Sequence, residues 1–172
     1  MTNVSNLSSR HVSVAAEAAA AALFARAGFD VSVQYGANQP EYDLIVARSD
    51  AMLKVSVKGS KDGRWGLTQS LLNDADYHAA ADAWCARHTP RTILCFVQYK
   101  DVLLDAMPRV YLATPLEVGL RLRMAAAGRG DTILHENHTW SPRAHAAGLV
   151  ERIPDTWRFT IARVEELLQV VR

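Results

Sequence analysis

The chain has little of what would reveal its purpose at a glance. Its 172 residues include only two cysteines, Cys85 and Cys95. They form neither a metal-type spacing nor a disulfide framework, so each is expected as a small core residue in a reduced, intracellular setting. Charge of one sign is missing too. Lys and Arg number 19 against 18 Asp and Glu, a net charge of +1. No overall basic field announces a nucleic-acid partner, and any such partner must be held by a local patch. No hydrophobic run is long enough for a membrane. "VSVAAEAAAAALF" falls short of the ~20 apolar residues a spanning helix needs, and Glu17 interrupts it. It reads as an internal helix of a cytoplasmic protein. Internal repeats and low-complexity linkers are absent as well.

What is there is ordinary for a globular chain, with 49% hydrophobic and 22% charged residues. The length suits one core. Residues 1–12 read as a flexible arm and 13–172 as a single domain with a C-terminal helical extension. Ser13 is the expected N-cap of a helix running to about Ala27 and stopped by Gly28. "FDVSVQY" alternates as a strand, a Gly-Asn-Pro loop follows at 36–40, and strands over 42–48 and 52–58 share the Ser49-Asp50 turn. "GSKDGRWGLTQSLLN" reads as a mobile loop, and a helix follows from Asp74 to Arg87. "RTILCFVQY" is continuously apolar and hence a central strand, and "PRVYLA" is another. Thr114-Pro115 starts a helix, and a last helix begins near Thr160 with Ile161, Val164, Leu167, Leu168 and Val171 as its packing stripe. The pattern predicts an α/β fold, a central mixed sheet flanked by helices with an αβββαβ-type core.

Against this background three ionisable residues stand out. Strand alternation puts Lys54, Ser56 and Lys58 on one face and Val55 and Val57 on the other. Asp43 shares its face with Ile45 and Ala47. In a hairpin about Ser49-Asp50, Asp43 at the start of one strand lies near Lys58 at the end of the next. Glu17 is a lone carboxylate among alanines and valines, costly to bury unless paired or bound to a cation. Two carboxylates and a lysine beside a surface loop suit phosphodiester hydrolysis, because acids hold Mg²⁺ through oxygen and a lysine steadies developing negative charge. Taken singly, Asp43 also reads as a strand start and Lys58 as a solvated strand end.

The helix with Glu17, then "GFDV", then "PEYDLIVA…LKVSVKGS" resembles the PD-(D/E)XK nuclease superfamily, in the arrangement of Holliday-junction resolvases and restriction-type endonucleases. Pro40 and Asp43 match its "P…D" part, Lys58 its terminal lysine and Glu17 its helix glutamate. The resemblance implies catalytic roles for Asp43, Lys58, Glu17 and Ser56. It implies Mg²⁺ or Mn²⁺ held by Asp43, Glu17 and the Val57 carbonyl, with DNA as partner and a homodimer as one arrangement. Ser56 departs from the pattern at the middle acidic position. Shorter and neutral, it implies a weakly bound metal. The implied function is therefore a Mg²⁺-dependent DNA endonuclease. The alternative is a catalytically inactive member of the fold that binds nucleic acid or a protein partner.

In the loop after Lys58, the residues Lys61, Arg64, Trp65 and Gln69 are candidates for binding phosphates and stacking a base, or else form an ordinary charged loop around a packing tryptophan. His135, Glu136 and His138 lack the companions a zinc site needs and are expected in a solvated turn. Tyr77, Trp84 and Phe96 fit core positions.

Overall fold

The computed structural model describes residues 7–34 and 41–171. Pro40 and the 36–40 loop lie outside them, as does the start of the expected arm. Helix α1 spans Ser9–Arg26, so the arm does not reach residue 12. Its cap is Ser8 and not Ser13. The Ser8 hydroxyl accepts the His11 amide at 3.2 Å while the His11 ring accepts the Ser8 amide at 3.3 Å. That reciprocal box satisfies two end amides at once, which Ser13 has no partner to do. Ser13 lies inside the helix and its hydroxyl donates to the Ser9 carbonyl.

Strands β1 (Asp30–Val33), β2 (Leu44–Arg48) and β3 (Ala51–Ser60) form the expected antiparallel meander. The segment after β3 is ordered and not a mobile loop. It holds β4 (Arg64–Gly66) and a 3-10 turn over Gln69–Leu71. Helix α2 (Tyr77–Ala86), capped by Asp76, leads into β5 (Thr92–Gln98), which is buried throughout and pairs in parallel with β3. Strand β6 (Arg109–Ala113) closes a five-stranded mixed sheet of order β1-β2-β3-β5-β6. Helix α3 (Pro115–Met124) starts on a Thr114–Glu117 capping box. The short strands β7 (Ile133–His135), β8 (Asn137–Thr139) and β9 (Val150–Arg152) follow. Helix α4 (Ile161–Val170) starts at the Thr160 cap as expected.

Helices α1 and α4 cover one face of the sheet, packing Ala16, Ala20, Phe24, Val164 and Leu167 on Leu44, Val46, Val55, Val57, Ile93 and Cys95. Helices α2 and α3 cover the other around Trp84, Leu94, Phe96, Tyr111 and Leu122. This is the α/β class the alternation predicts. Ile161 is exposed and drops out of the α4 stripe. Among the described residues no helix is long and apolar enough to cross a membrane.

The stretch after α3 is not a solvated turn. His135 is buried with its ring 3.2 Å from Asp131, and His138 stacks on it. Glu136 accepts from Arg109 at 2.6 Å and from the Tyr111 hydroxyl at 2.8 Å. Burial, then the carboxylate, push the Tyr111 hydroxyl up to about 12. These residues serve to anchor β7 and β8 against the sheet.

Candidate functional site

The site is built where β2 begins and β3 runs on beyond it. Asp43 precedes β2 and already sits on its ladder, its amide donating to the Val55 carbonyl at 2.9 Å. The Asp43 carboxylate takes the next rung, with the Val57 amide donating to Oδ2 at 2.6 Å. In an extended residue amide and carbonyl point to the same side, so the Val57 carbonyl is turned towards this end of β2 as well.

Glu17 arrives through close helix–sheet packing. A Cβ on Gly59 would lie 2.8 Å from the Val12 carbonyl and 2.9 Å from the Ala16 side chain. Glycine at this one position lets α1 press onto β3 just past Lys58. Glu17, next to Ala16, is thereby carried to the end of the sheet. Burial first, and then the charge of Asp43, raise its carboxyl above the ordinary range, while Lys58 pulls the other way. The three charges the sequence singles out therefore act on one another.

The faces need one adjustment. Val55, Val57 and Gly59 look towards α1, so Lys58 looks towards α2. Glu17 and Lys58 come from opposite sides of the sheet. Asp43 turns its carboxylate into the ladder, onto the Val57 amide. Ser56 shares the Lys58 face and is only 2% exposed, so its hydroxyl is part of the packing beneath the lysine.

Sequence reasoning passed over two residues here. Glu41 and Lys58 both bear electrostatically on His88, just past the end of α2. The His88 ring packs on Trp84, with Nδ1 2.9 Å from the Trp84 carbonyl. A carbonyl only accepts, so a neutral ring carries its proton on Nδ1 and keeps a lone pair on Nε2. Burial is the chief cause holding this ring below the ordinary histidine range. No local pattern marks His88; only the fold brings it within electrostatic reach of Glu41 and Lys58.

The expected nucleic-acid loop divides. Trp65 is 3% exposed, packs edge-on to Phe96 and Tyr111, and donates from Nε1 to the Lys58 carbonyl at 2.8 Å. It is a core residue and cannot stack a base. Its bond holds the main chain at Lys58. Lys61, Arg64 and Gln69 are exposed. Lys61 donates to the Leu7 carbonyl, and Arg64 pairs with Asp62 at 2.8 Å.

No family model and no curated protein matches the chain. A solved structure similar to it is that of a bacterial homing endonuclease, I-Ssp6803I, with a TM-score of 0.49 and 20% identity over 95% of this chain and 94% of that one.

The donor chemistry at the site is all oxygen: two carboxylates and a backbone carbonyl, the set hard divalent cations take. Among the described residues no cage of three or more His, Cys, Asp or Glu side chains is assembled.

Proposed function

We propose that the protein is a Mg²⁺- or Mn²⁺-dependent DNA endonuclease of PD-(D/E)XK type. The observation that supports the reading is the Asp43 carboxylate fixed on the Val57 amide beside Lys58, with α1 and its Glu17 pressed onto Gly59 just beyond and Glu17 within electrostatic reach of Asp43 and Lys58. Glu17 and Asp43 repel each other there, and a cation between them would relieve that repulsion. Glu17, Asp43 and the Val57 carbonyl would hold the metal, and when bound it would polarise the phosphoryl group and make water a stronger nucleophile. In hydrolysis the water oxygen bonds to phosphorus, the bond to the leaving sugar oxygen breaks, and charge builds on the phosphoryl oxygens. Lys58 supplies a fixed positive charge for that build-up, held in place by the Trp65 bond to its carbonyl. Exposed Lys61, Arg64 and Gln69 lie on the segment that follows and would meet the DNA backbone.

The test is nicking of plasmid and branched DNA with Mg²⁺, with Mn²⁺ and with chelator. Wild type should cleave only with metal. Lys58→Ala should lose on the order of 10²-fold or more in rate with its melting temperature unchanged. A second reading is favoured by one observation, the buried neutral Ser56 where an acidic ligand would complete the site. On that reading the protein binds nucleic acid or a protein partner without cutting. DNA binding with no cleavage under any of these conditions would establish it.

A further inference from the structure

The chain has four lysines, Lys54, Lys58, Lys61 and Lys100, against fifteen arginines, and the fold gathers all four in one place. Lys54 and Lys58 stand on β3, on the face turned towards α2. Lys61 follows the end of that strand. Lys100, just past β5, reaches the same turn, where a Cβ on Gly63 would lie 3.4 Å from its Cδ. Among the described residues, every ion pair made by a lysine or arginine is made by an arginine. The lysines have neutral neighbours instead. The Lys54 ammonium lies 5.1 Å over the Tyr42 ring, and Lys61 donates to the Leu7 carbonyl. Two exposed acids adjoin the group, Glu41 beside Tyr42 and Asp101 beside Lys100, which leaves it net positive. In a chain of net charge +1 this is a local basic patch.

The sheet beside the lysines is open. Helices α2 and α3 pack on Leu94, Phe96, Tyr111 and Ala113 of β5 and β6. The neighbours of Lys54 across the sheet are Ile45 and then Ser32, which lie outside that core, and Ser32 and Met52 are exposed. A polyanion therefore has room along β3. Lysine meets phosphate as a point charge and reads no base. Single-strand binders add exposed rings on which bases stack, but here Trp65 is buried and Tyr42 is engaged by Lys54. A duplex backbone fits this chemistry better. Lys54 and Lys58 stand about 13 Å apart along the strand at ~3.3 Å per residue, or about four base steps of one DNA strand.

We propose that Lys54 and Lys100 are phosphate contacts for double-stranded DNA, so that one strand runs along β3 and is held on both sides of Lys58. The role of Lys58 in this arrangement rests on the endonuclease reading. The contacts add to that reading the path of the duplex and a reason for internal cutting, because a backbone gripped on both sides of the scissile phosphate needs no free end.

Anisotropy of a labelled duplex in chelator, where no metal-dependent cutting occurs, tests the contacts across about 50–200 mM salt. Each neutralised phosphate adds about 0.9 to the slope of log affinity against log salt. Lys54→Gln and Lys100→Gln should each make the slope shallower by about that amount, and the double variant by about twice it, alike for unrelated sequences. Lys54→Arg should keep the wild-type slope. So should Arg26→Gln, an equal loss of charge in the last turn of α1 across the sheet. Should Lys54→Gln melt early through its lost place over Tyr42, Lys100→Gln carries the test. A wild type that binds no duplex, or binds a single strand of equal length more tightly, overturns the proposal. So do slopes that Lys54→Gln and Lys100→Gln leave unchanged, and metal-dependent nicking alongside them would keep the endonuclease reading while removing these contacts. Slopes that fall as stated without any nicking keep the contacts and favour the binding reading.

Discussion

The Val57 amide and the Asp43 carboxylate are joined by a 2.6 Å hydrogen bond that continues the β2–β3 ladder with a side chain where main chain would otherwise serve. The bond gives Asp43 a structural task separable from its charge. A hydrogen bond to a charged group is worth about 1.5–3 kcal/mol, and in a domain of this size each kcal/mol moves the melting temperature by about 2–4 °C. Asp43→Ala should therefore melt several degrees below wild type, and Asp43→Asn, which keeps an oxygen for the Val57 amide, close to it. Both should lose most Mg²⁺ or Mn²⁺ binding in calorimetry. Unchanged binding in the two variants would place any ion elsewhere.

Glu17 makes a pH-dependent prediction. Its carboxyl is raised in the folded state by burial and then by Asp43, so the native protein keeps a proton that the unfolded chain has already lost. That contribution to stability is present below the ordinary glutamate value and is lost as pH rises through the raised one. Above it, the charged side chain weighs against folding. Glu17→Gln should therefore be more stable than wild type at pH 7.5 in chelator, with the difference vanishing near pH 4. Mg²⁺ should raise the wild-type melting temperature and close the gap, because only wild type gains the bound ion. Thermal melts at both pH values, with and without Mg²⁺, decide it. A less stable Glu17→Gln at neutral pH would mean the carboxylate is paired and not repelled.

The sheet was legible because its signals are periodic and local. Alternation set the meander, the apolar run of β5 set its central place, and Thr114-Pro115 and Thr160 marked helix starts. Ser8 takes the cap in place of Ser13 through the reciprocal bond of the His11 ring, a pairing no sequence pattern announces. Three-residue strands such as β4 and β7 carry no period, and each exists only because the other lies beside it far along the chain. Hence the loop and the polar stretch differ from expectation, while Trp65 takes the packing role that was one of its two readings. At the site, Asp43 and Lys58 followed from hairpin register. The turn of the Asp43 carboxylate into the ladder and the approach of His88 are tertiary facts that no spacing encodes.

Trp65 supplies the cleanest contrast between packing and recognition. Truncating a buried aromatic costs about 3–5 kcal/mol, and here the Lys58 carbonyl would lose its indole donor as well. Trp65→Ala should lower the unfolding free energy by that amount in urea titration. Trp65→Phe keeps the ring contact with Phe96 but not the donor, and should be milder in stability yet still slow any cleavage by loosening Lys58. A Trp65→Ala protein of wild-type stability that binds DNA more weakly would restore the stacking role.

Ser56 is the residue on which the endonuclease and binding readings part. It is buried on the Lys58 face, beside the start of β2 in the β2–β3 register, where a carboxylate would add a charged oxygen next to Asp43 for a hard cation to use. Ser56→Asp adds the least volume and should be made first, with Ser56→Glu beside it. In chelator the added charge is repelled by Asp43 and Glu17, so the variant should melt below wild type. With Mg²⁺ it should be stabilised more than wild type, since the ion now binds the folded state more tightly. Mg²⁺-dependent nicking should then rise above wild type, and Lys58→Ala in the same background should abolish the gain. If Ser56→Asp binds metal well and still cuts neither plasmid nor branched DNA, the cluster holds a cation for some purpose other than cleavage. The binding reading then takes precedence, because the missing ligand was not what kept the site from acting.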